Sequence, residues 1–232
     1  MKFKITESIQ DRGIFKAIFM AGGPGSGKSY TLSQITDGAL SPRVINTDKF
    51  VEHFGAIDVD QRPVVLDRVK TLTKNQLYLY LNSMLPMVLD ATASAAATII
   101  KRNGLLQSIG YDTGMIFVNT SVETALNRIQ QRDRKVPKDW SIQAHEKTME
   151  SKKFYKSRFP FFYEIDNDEG ELTDQTILQA YKKVRGFYND PIDNPEGRRN
   201  LKIMKQSGWQ YMVDGMVKES YLKKLISVWY AS

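Results

Sequence analysis

The chain alternates short apolar runs with longer amphipathic stretches. Residues 14–21 form an apolar run broken only by Lys16, and a glycine cluster follows at once. That arrangement predicts a buried central strand rather than a helix. The stretch 29–35 predicts a helix ending near Asp37 and Gly38. Residues 43–47 read as a second strand that ends at Asp48, ahead of a short helix over 49–54. Over 64–83, Val65, Leu66, Val69, Leu72, Leu77 and Leu81 recur at helical spacing. A third strand over 87–89 ends at Asp90, a helix spans 95–109, and a fourth strand covers 115–118. Ser121 suits the N-cap of a helix running through Arg132, with Glu123 and Thr124 in its first turn. Past Pro137 the pattern gives a basic helix over 142–158, a fifth strand over 161–165 and a helix over 173–186.

Strands alternating with helices imply a parallel sheet covered on both faces. The expected fold is α/β: a three-layer sandwich with a five-stranded, mostly parallel sheet, lid helices and a C-terminal helical extension. A run of turn formers at 189–197 divides the chain into a main domain, 1–186, and an extension, 187–232, packed on the core. In the extension Val217, Tyr221, Leu222, Leu225, Ile226 and Trp229 keep helical spacing, as a docked helix requires.

Composition narrows the chemistry. The 232 residues suffice for one α/β domain, with 41% hydrophobic and 25% charged residues. With no cysteine, disulfides, thiolate zinc sites and cysteine nucleophiles are excluded. Two histidines, His53 and His145, argue against a multi-histidine metal site. No segment approaches the roughly 18 apolar residues of a membrane span. The N-terminus has no apolar signal core, so a cytoplasmic protein is expected. The net charge of +7 favours anionic partners.

Gly22, four residues, then Gly27, Lys28 and Ser29 form a phosphate-binding pattern between a strand and a helix. Glycines there let successive backbone N–H groups turn inward around phosphate oxygens, and the helix that starts adds its positive end. Gly22, Gly23, Pro24, Gly25, Ser26, Gly27, Lys28, Ser29 and Tyr30 are the expected ATP-binding residues. Lys28 should reach the β- and γ-phosphates, and the Ser29 hydroxyl should bind Mg²⁺. The fold class is thus that of a P-loop nucleotide-binding protein. The chain is too short for a two-domain transporter or helicase motor. It also lacks an Asn-Lys-x-Asp guanine-reading motif, since Asn46 to Lys49 hold similar letters in the wrong order and place.

Two acidic residues and three arginines point on to a kinase. Asp48, after the second strand, stands where a carboxylate can take the proton of an attacking hydroxyl, though it also suits a helix N-cap. Asp90, after the third, can hold Mg²⁺ or its water, or simply form a turn. Arg128 and Arg132 share a helix face, Arg134 follows, and guanidinium groups suit the spread charge of a transferring phosphoryl group. A solvated basic face would look the same.

The runs 21–29, 44–48 and 89–92, and above all 123–128 and 132–137, resemble the zeta toxin family of P-loop kinases, including its bacteriophage-type members. They more distantly resemble polynucleotide kinases. The resemblance covers roughly residues 14–165 and implies ATP, Mg²⁺, Asp48 as base and Arg128, Arg132 and Arg134 as lid arginines. Zeta toxins phosphorylate the 3′-hydroxyl of UDP-N-acetylglucosamine. This chain has Ala91-Thr92-Ala93-Ser94 where an Asp-x-Thr-Gly type of run is usual, so that acceptor is not carried over. A hydroxyl on a nucleotide, nucleotide sugar or nucleic acid is the expected acceptor class, with a small molecule favoured.

Residues 132–158 carry nine cationic and four acidic side chains, with Trp140, Phe154 and Tyr155 interleaved. That composition suits single-stranded nucleic acid as well as a solvated lid helix. A nucleic-acid-stimulated ATPase, or a nucleotide-gated adaptor that binds a protein through 187–232, remain the readings from other classes.

Overall fold

The computed structural model describes residues 13–36, 43–55, 62–90, 93–131, 136–168, 172–207 and 219–230. Its elements follow the expected order. Strand β1 (Lys16–Ala21) leads into helix α1 (Lys28–Thr36), and β2 (Arg43–Ile45) into α2 (Thr47–His53). Helix α3 (Arg62–Asn82), β3 (Met87–Asp90), α4 (Ala96–Ser108) and β4 (Asp112–Asn119) come next. Then follow α5 (Val122–Gln130), α6 (Lys138–Arg158), β5 (Phe161–Asp166) and α7 (Asp174–Asn189). Helices α8 (Pro195–Ser207) and α9 (Glu219–Tyr230) end the chain.

The sheet order is β2-β3-β1-β4-β5. Every pairing is parallel, so the sheet is wholly rather than mostly parallel. β1 lies at the centre and its six residues are all buried. Because successive side chains point to opposite faces, they divide between two cores. Ala17, Phe19 and Ala21 join Met87, Leu89, Met115 and Phe117 in a core closed by α3, α4, α6 and the C-terminal helices. Ile18 and Met20 join Val88, Ile116 and Val118 in a second core under α1 and α7. These are the three layers the pattern predicts. Among the described residues no helix is long and apolar enough to cross a membrane.

Several boundaries differ, among them the start of β4, at Asp112 instead of residue 115, and the end of α5, at Gln130 instead of Arg132. β2 stops at Ile45, two residues early, because Asn46 turns out to cap α2 through its own side chain. α6 starts at Lys138, four residues before the expected start. α7 runs on to Asn189, three residues past its expected end. The turn formers beyond it are bonded to the sheet. The backbone N–H groups of Asp193 and Asn194 donate to the Asp112 carboxylate at 2.9 and 2.7 Å. Asn194 donates to the carbonyls of Gln107 and Tyr111 while its own carbonyl oxygen caps α8. Leu222, Leu225, Ile226 and Trp229 of α9 are buried in the first core, as their spacing requires.

At the amino ends of the strands, the buried Lys16 forms an ion pair with the half-buried Asp112 at 2.8 Å. The ammonium also donates to the Pro191 carbonyl and lies over the Phe187 ring. A buried pair is stable only when its remaining polar valences are met. Here the backbone of 191–194 meets them.

Candidate functional site

The loop between β1 and α1 sits at the carboxyl end of the central strand, the place where open α/β sheets bind ligands. Its backbone has the shape an anion nest needs. Gly25 and Gly27 lie at φ +77° and +84°, in the left-handed region open to glycine. A Cβ on Gly27 would stand 2.2 Å from the Asn167 amide nitrogen, and one on Gly23 would stand 2.3 Å from His145 Nδ1. Ser26, with no exposed surface, has a hydroxyl with no hydrogen-bond partner. The Lys28 ammonium donates to the carbonyls of Gly22 and Gly23 at 2.8 and 3.0 Å, within its own loop. A turned glycine loop, an orphaned hydroxyl and a lysine folded over the cradle together fit a polyphosphate. Pro24 is half-buried, and Tyr30, one residue past Ser29, leaves its ring largely exposed.

The candidate metal ligands come together. Ser29 Oγ donates to Asp90 Oδ2 at 3.4 Å. Two hard oxygen donors suit Mg²⁺, which keeps waters and phosphate oxygens for its remaining positions. Among the described residues no group of three or more histidine or acidic side chains is built to hold a metal alone. Burial pushes the Asp90 carboxyl up from its ordinary value, opposed by the Lys28 charge and by hydrogen bonds from Asn46 and Ser29.

Asp48 is not the cap of the short helix. Asn46 is: its Oδ1 accepts from the N–H groups of Asp48 and Lys49, and Asp48 lies in the first turn. That leaves the Asp48 carboxylate exposed beside the loop. The Asn46 side-chain amide meanwhile donates to Asp90 Oδ2 at 2.7 Å.

Of the three expected arginines, Arg128 is described, and Arg132 and Arg134 lie outside the described residues, as does Thr92. Arg128, in the last turn of α5, donates to the Asn167 carbonyl at 2.8 Å. Asn167 was not singled out from sequence. It is buried at the end of β5, where its amide donates to the Ser26 carbonyl at 2.6 Å. It therefore bolts the phosphate loop to the strand two places away. Asp168 beside it accepts from the Ser121 N–H and hydroxyl. The backbone bond above all, with the hydroxyls and the Arg128 charge, holds the Asp168 carboxyl below its usual range.

Helix α6 covers the loop from the other side. His145 is buried against Gly23, and its Nδ1 has no partner. Burial, with some help from the Lys28 charge, lowers its pKa against a bond to the Thr120 backbone. Further along, the buried Tyr155 hydroxyl donates to the carbonyl of Ala93, which sits at φ +59° just past Asp90. Burial lifts the Tyr155 phenol to about 12. Neither contact has a spacing signature in the sequence, since each joins α6 to a loop far away along the chain.

Of three solved structures with this architecture, two are described as kinases and one belongs to an RNA repair complex. A protein from Chloroflexus aurantiacus assigned as a kinase has a TM-score of 0.52 at 17% identity, covering 75% of this chain and 98% of its own. Shikimate kinase from Bacteroides thetaiotaomicron scores 0.46 at 16% identity, covering 73% of this chain and 96% of its own. A chain of an RNA repair complex scores 0.48 at 20% identity, covering 66% of this chain and 48% of its own. No curated protein matches the sequence. The sequence profile described as "Zeta toxin" matches residues 3–173, a stretch that holds the phosphate loop, Asp48, Asp90 and Arg128, and the chain therefore belongs to the zeta toxin family.

Proposed function

We propose that the protein transfers the γ-phosphoryl group of ATP to a hydroxyl of a small acceptor, a nucleotide or nucleotide sugar. The observation that carries this is the approach of Ser29 to Asp90 beside the glycine loop, with Asp48 in the first turn of the helix that Asn46 ties to Asp90. In the reaction the acceptor oxygen bonds to the γ-phosphorus as the bond to the β,γ-bridging oxygen breaks. ADP departs, and the acceptor's proton goes to the exposed Asp48 carboxylate and then to water. The loop N–H groups and Lys28 hold the phosphates in line. Ser29 and Asp90 would hold Mg²⁺, whose chemistry is to neutralise charge on the β- and γ-oxygens. Arg128, with Arg132 and Arg134 of the following segment, would meet the charge of the transferred group. ATP as donor suits a cytoplasmic setting.

A second acceptor class has one observation in its favour. Trp140 and Phe154 are 53% and 51% exposed on α6, on one stripe with the exposed Lys147 between them. Exposed rings with cations between them can stack the bases of a single strand.

One experiment separates these. The protein is incubated with γ-labelled ATP and a panel of UDP-sugars, nucleosides and 5′-hydroxyl RNA and DNA, alongside Asp48→Asn. The expected result is label on a small acceptor and a loss of about a hundredfold or more in kcat for the variant, at unchanged ATP affinity. Full activity in Asp48→Asn would remove Asp48 as the base. Label on RNA or DNA alone would move the function to the second class. Nucleic-acid-stimulated hydrolysis with no labelled product would mean an ATPase.

A further inference from the structure

We propose that Asn46 is a positioning residue that fixes the base-bearing helix and the metal-binding carboxylate in one geometry with a single side chain. This rests on the kinase reading above. The Asn46 carboxamide has two ends and both are used. Its oxygen accepts from the Asp48 N–H at 2.8 Å and the Lys49 N–H at 3.4 Å. Its nitrogen donates to Asp90 Oδ2 at 2.7 Å. The first turn of α2 dictates which end faces which way, because backbone N–H groups need an acceptor. The NH₂ is thereby aimed at Asp90, and the short distance is that of a bond to a charged oxygen.

A helix cap alone explains only half of this. Ser, Thr or Asp would cap α2 as well, but none of them does both jobs. The shorter Ser and Thr lack the amide donor. An aspartate would set a second carboxylate within bonding distance of the first. An amide tethers Asp90 without adding charge, in a place where burial already disfavours the carboxylate. Asp90 lies 44 positions away in sequence and on a neighbouring strand, so the bond ties α2 to the end of β3. The same Asp90 oxygen accepts from Ser29. Asn46 thus stands at the junction of base, metal site and phosphate loop while belonging to none of them.

The test uses Asn46→Ser, which keeps a cap and removes the donor, and Asn46→Ala, which removes both. Binding of a fluorescent ATP analogue is titrated with MgCl₂, and amide hydrogen exchange is measured on the metal-free protein. Asn46→Ser is expected to raise the Mg²⁺ concentration for half-maximal nucleotide binding about tenfold, the effect of losing one charge-assisted hydrogen bond. It should keep exchange protection at Asp48 and Lys49, lower kcat and leave the acceptor KM unchanged. Asn46→Ala should show the same metal defect and also lose that protection. If Asn46→Ser needs no more Mg²⁺ than the wild type, while Lys28→Met still abolishes nucleotide binding, the positioning role is wrong and the kinase reading stands. If Lys28→Met binds nucleotide normally, the kinase reading fails and takes this inference with it.

Discussion

The two ends of the sheet are built to opposite rules. At the amino ends, buried Lys16 and half-buried Asp112 are paired at 2.8 Å and supplied with further hydrogen bonds by the backbone of 191–194. At the carboxyl ends, the Ser26 hydroxyl and His145 Nδ1 are buried with no partner, and the Asp90 carboxylate is held where burial disfavours it. Polar groups left short of partners are costly. Two of these atoms stand at the phosphate loop, where the proposed ligand would sit, while Gln76 Oε1 and Asn103 Oδ1 are buried without partners elsewhere.

Removing one member of the finished end should have the largest effect on stability. Asp112→Ala strands the buried Lys16 ammonium and frees two backbone donors. It is expected to cost about 3–5 kcal/mol in urea unfolding, with nucleotide affinity of the folded fraction unchanged. A cost under about 1 kcal/mol would erase the contrast between the two ends.

The unfinished end should respond to acid. Burial lowers the His145 pKa below its ordinary 6.5, so the unfolded chain takes up a proton before the folded one does. Stability conferred by the neutral ring is complete above about pH 6.5 and falls as pH drops below it, until the folded-state pKa is passed. Thermal melts from pH 7.5 to 5 should show this decline, and His145→Gln should flatten it. Equal slopes in the two proteins would assign the acid response elsewhere.

The smallest effect is the most diagnostic. The folded-state pKa of Asp90 is raised, so its ionisation opposes folding once pH rises through that value. Asp90→Asn removes the buried charge. The nucleotide-free variant should therefore be more stable than the wild type, by about 1 kcal/mol, as is common when a functional site is neutralised. Phosphoryl transfer should be lost. A destabilised Asp90→Asn would mean that the carboxylate is there for the fold.

The frame was legible in the sequence because its signals are local. An apolar run ending in glycines announces β1 and its loop, and alternating parity along β1 sends Phe19 and Met20 to opposite cores. The ends of elements and the bonds between distant loops were not legible. Reading β2 through residue 47 made Asp48 a strand-end residue and a candidate cap. Placing the helix start at Thr47 hands the cap to Asn46 and sets Asp48 in the first turn of α2. Asn167 and His145 touch the loop across 141 and 122 positions of chain, and no spacing rule reaches that far. The turn formers at 189–197 read as a divider because Asn, Asp and Pro favour turns. That two of those residues clamp Asp112 depends on where the chain returns.

The stretch shared with the family ends at residue 173, yet Ala180, Val184 and Phe187 lie in one core and Leu222, Leu225, Ile226 and Trp229 in the other. Inheritance and folding thus draw different borders on the same chain. A fragment trimmed to the recognisable toxin-like portion would keep every candidate reactive group and lose part of the lining of both hydrophobic layers. For this protein the smallest piece that carries the chemistry is not the smallest piece that can hold its shape.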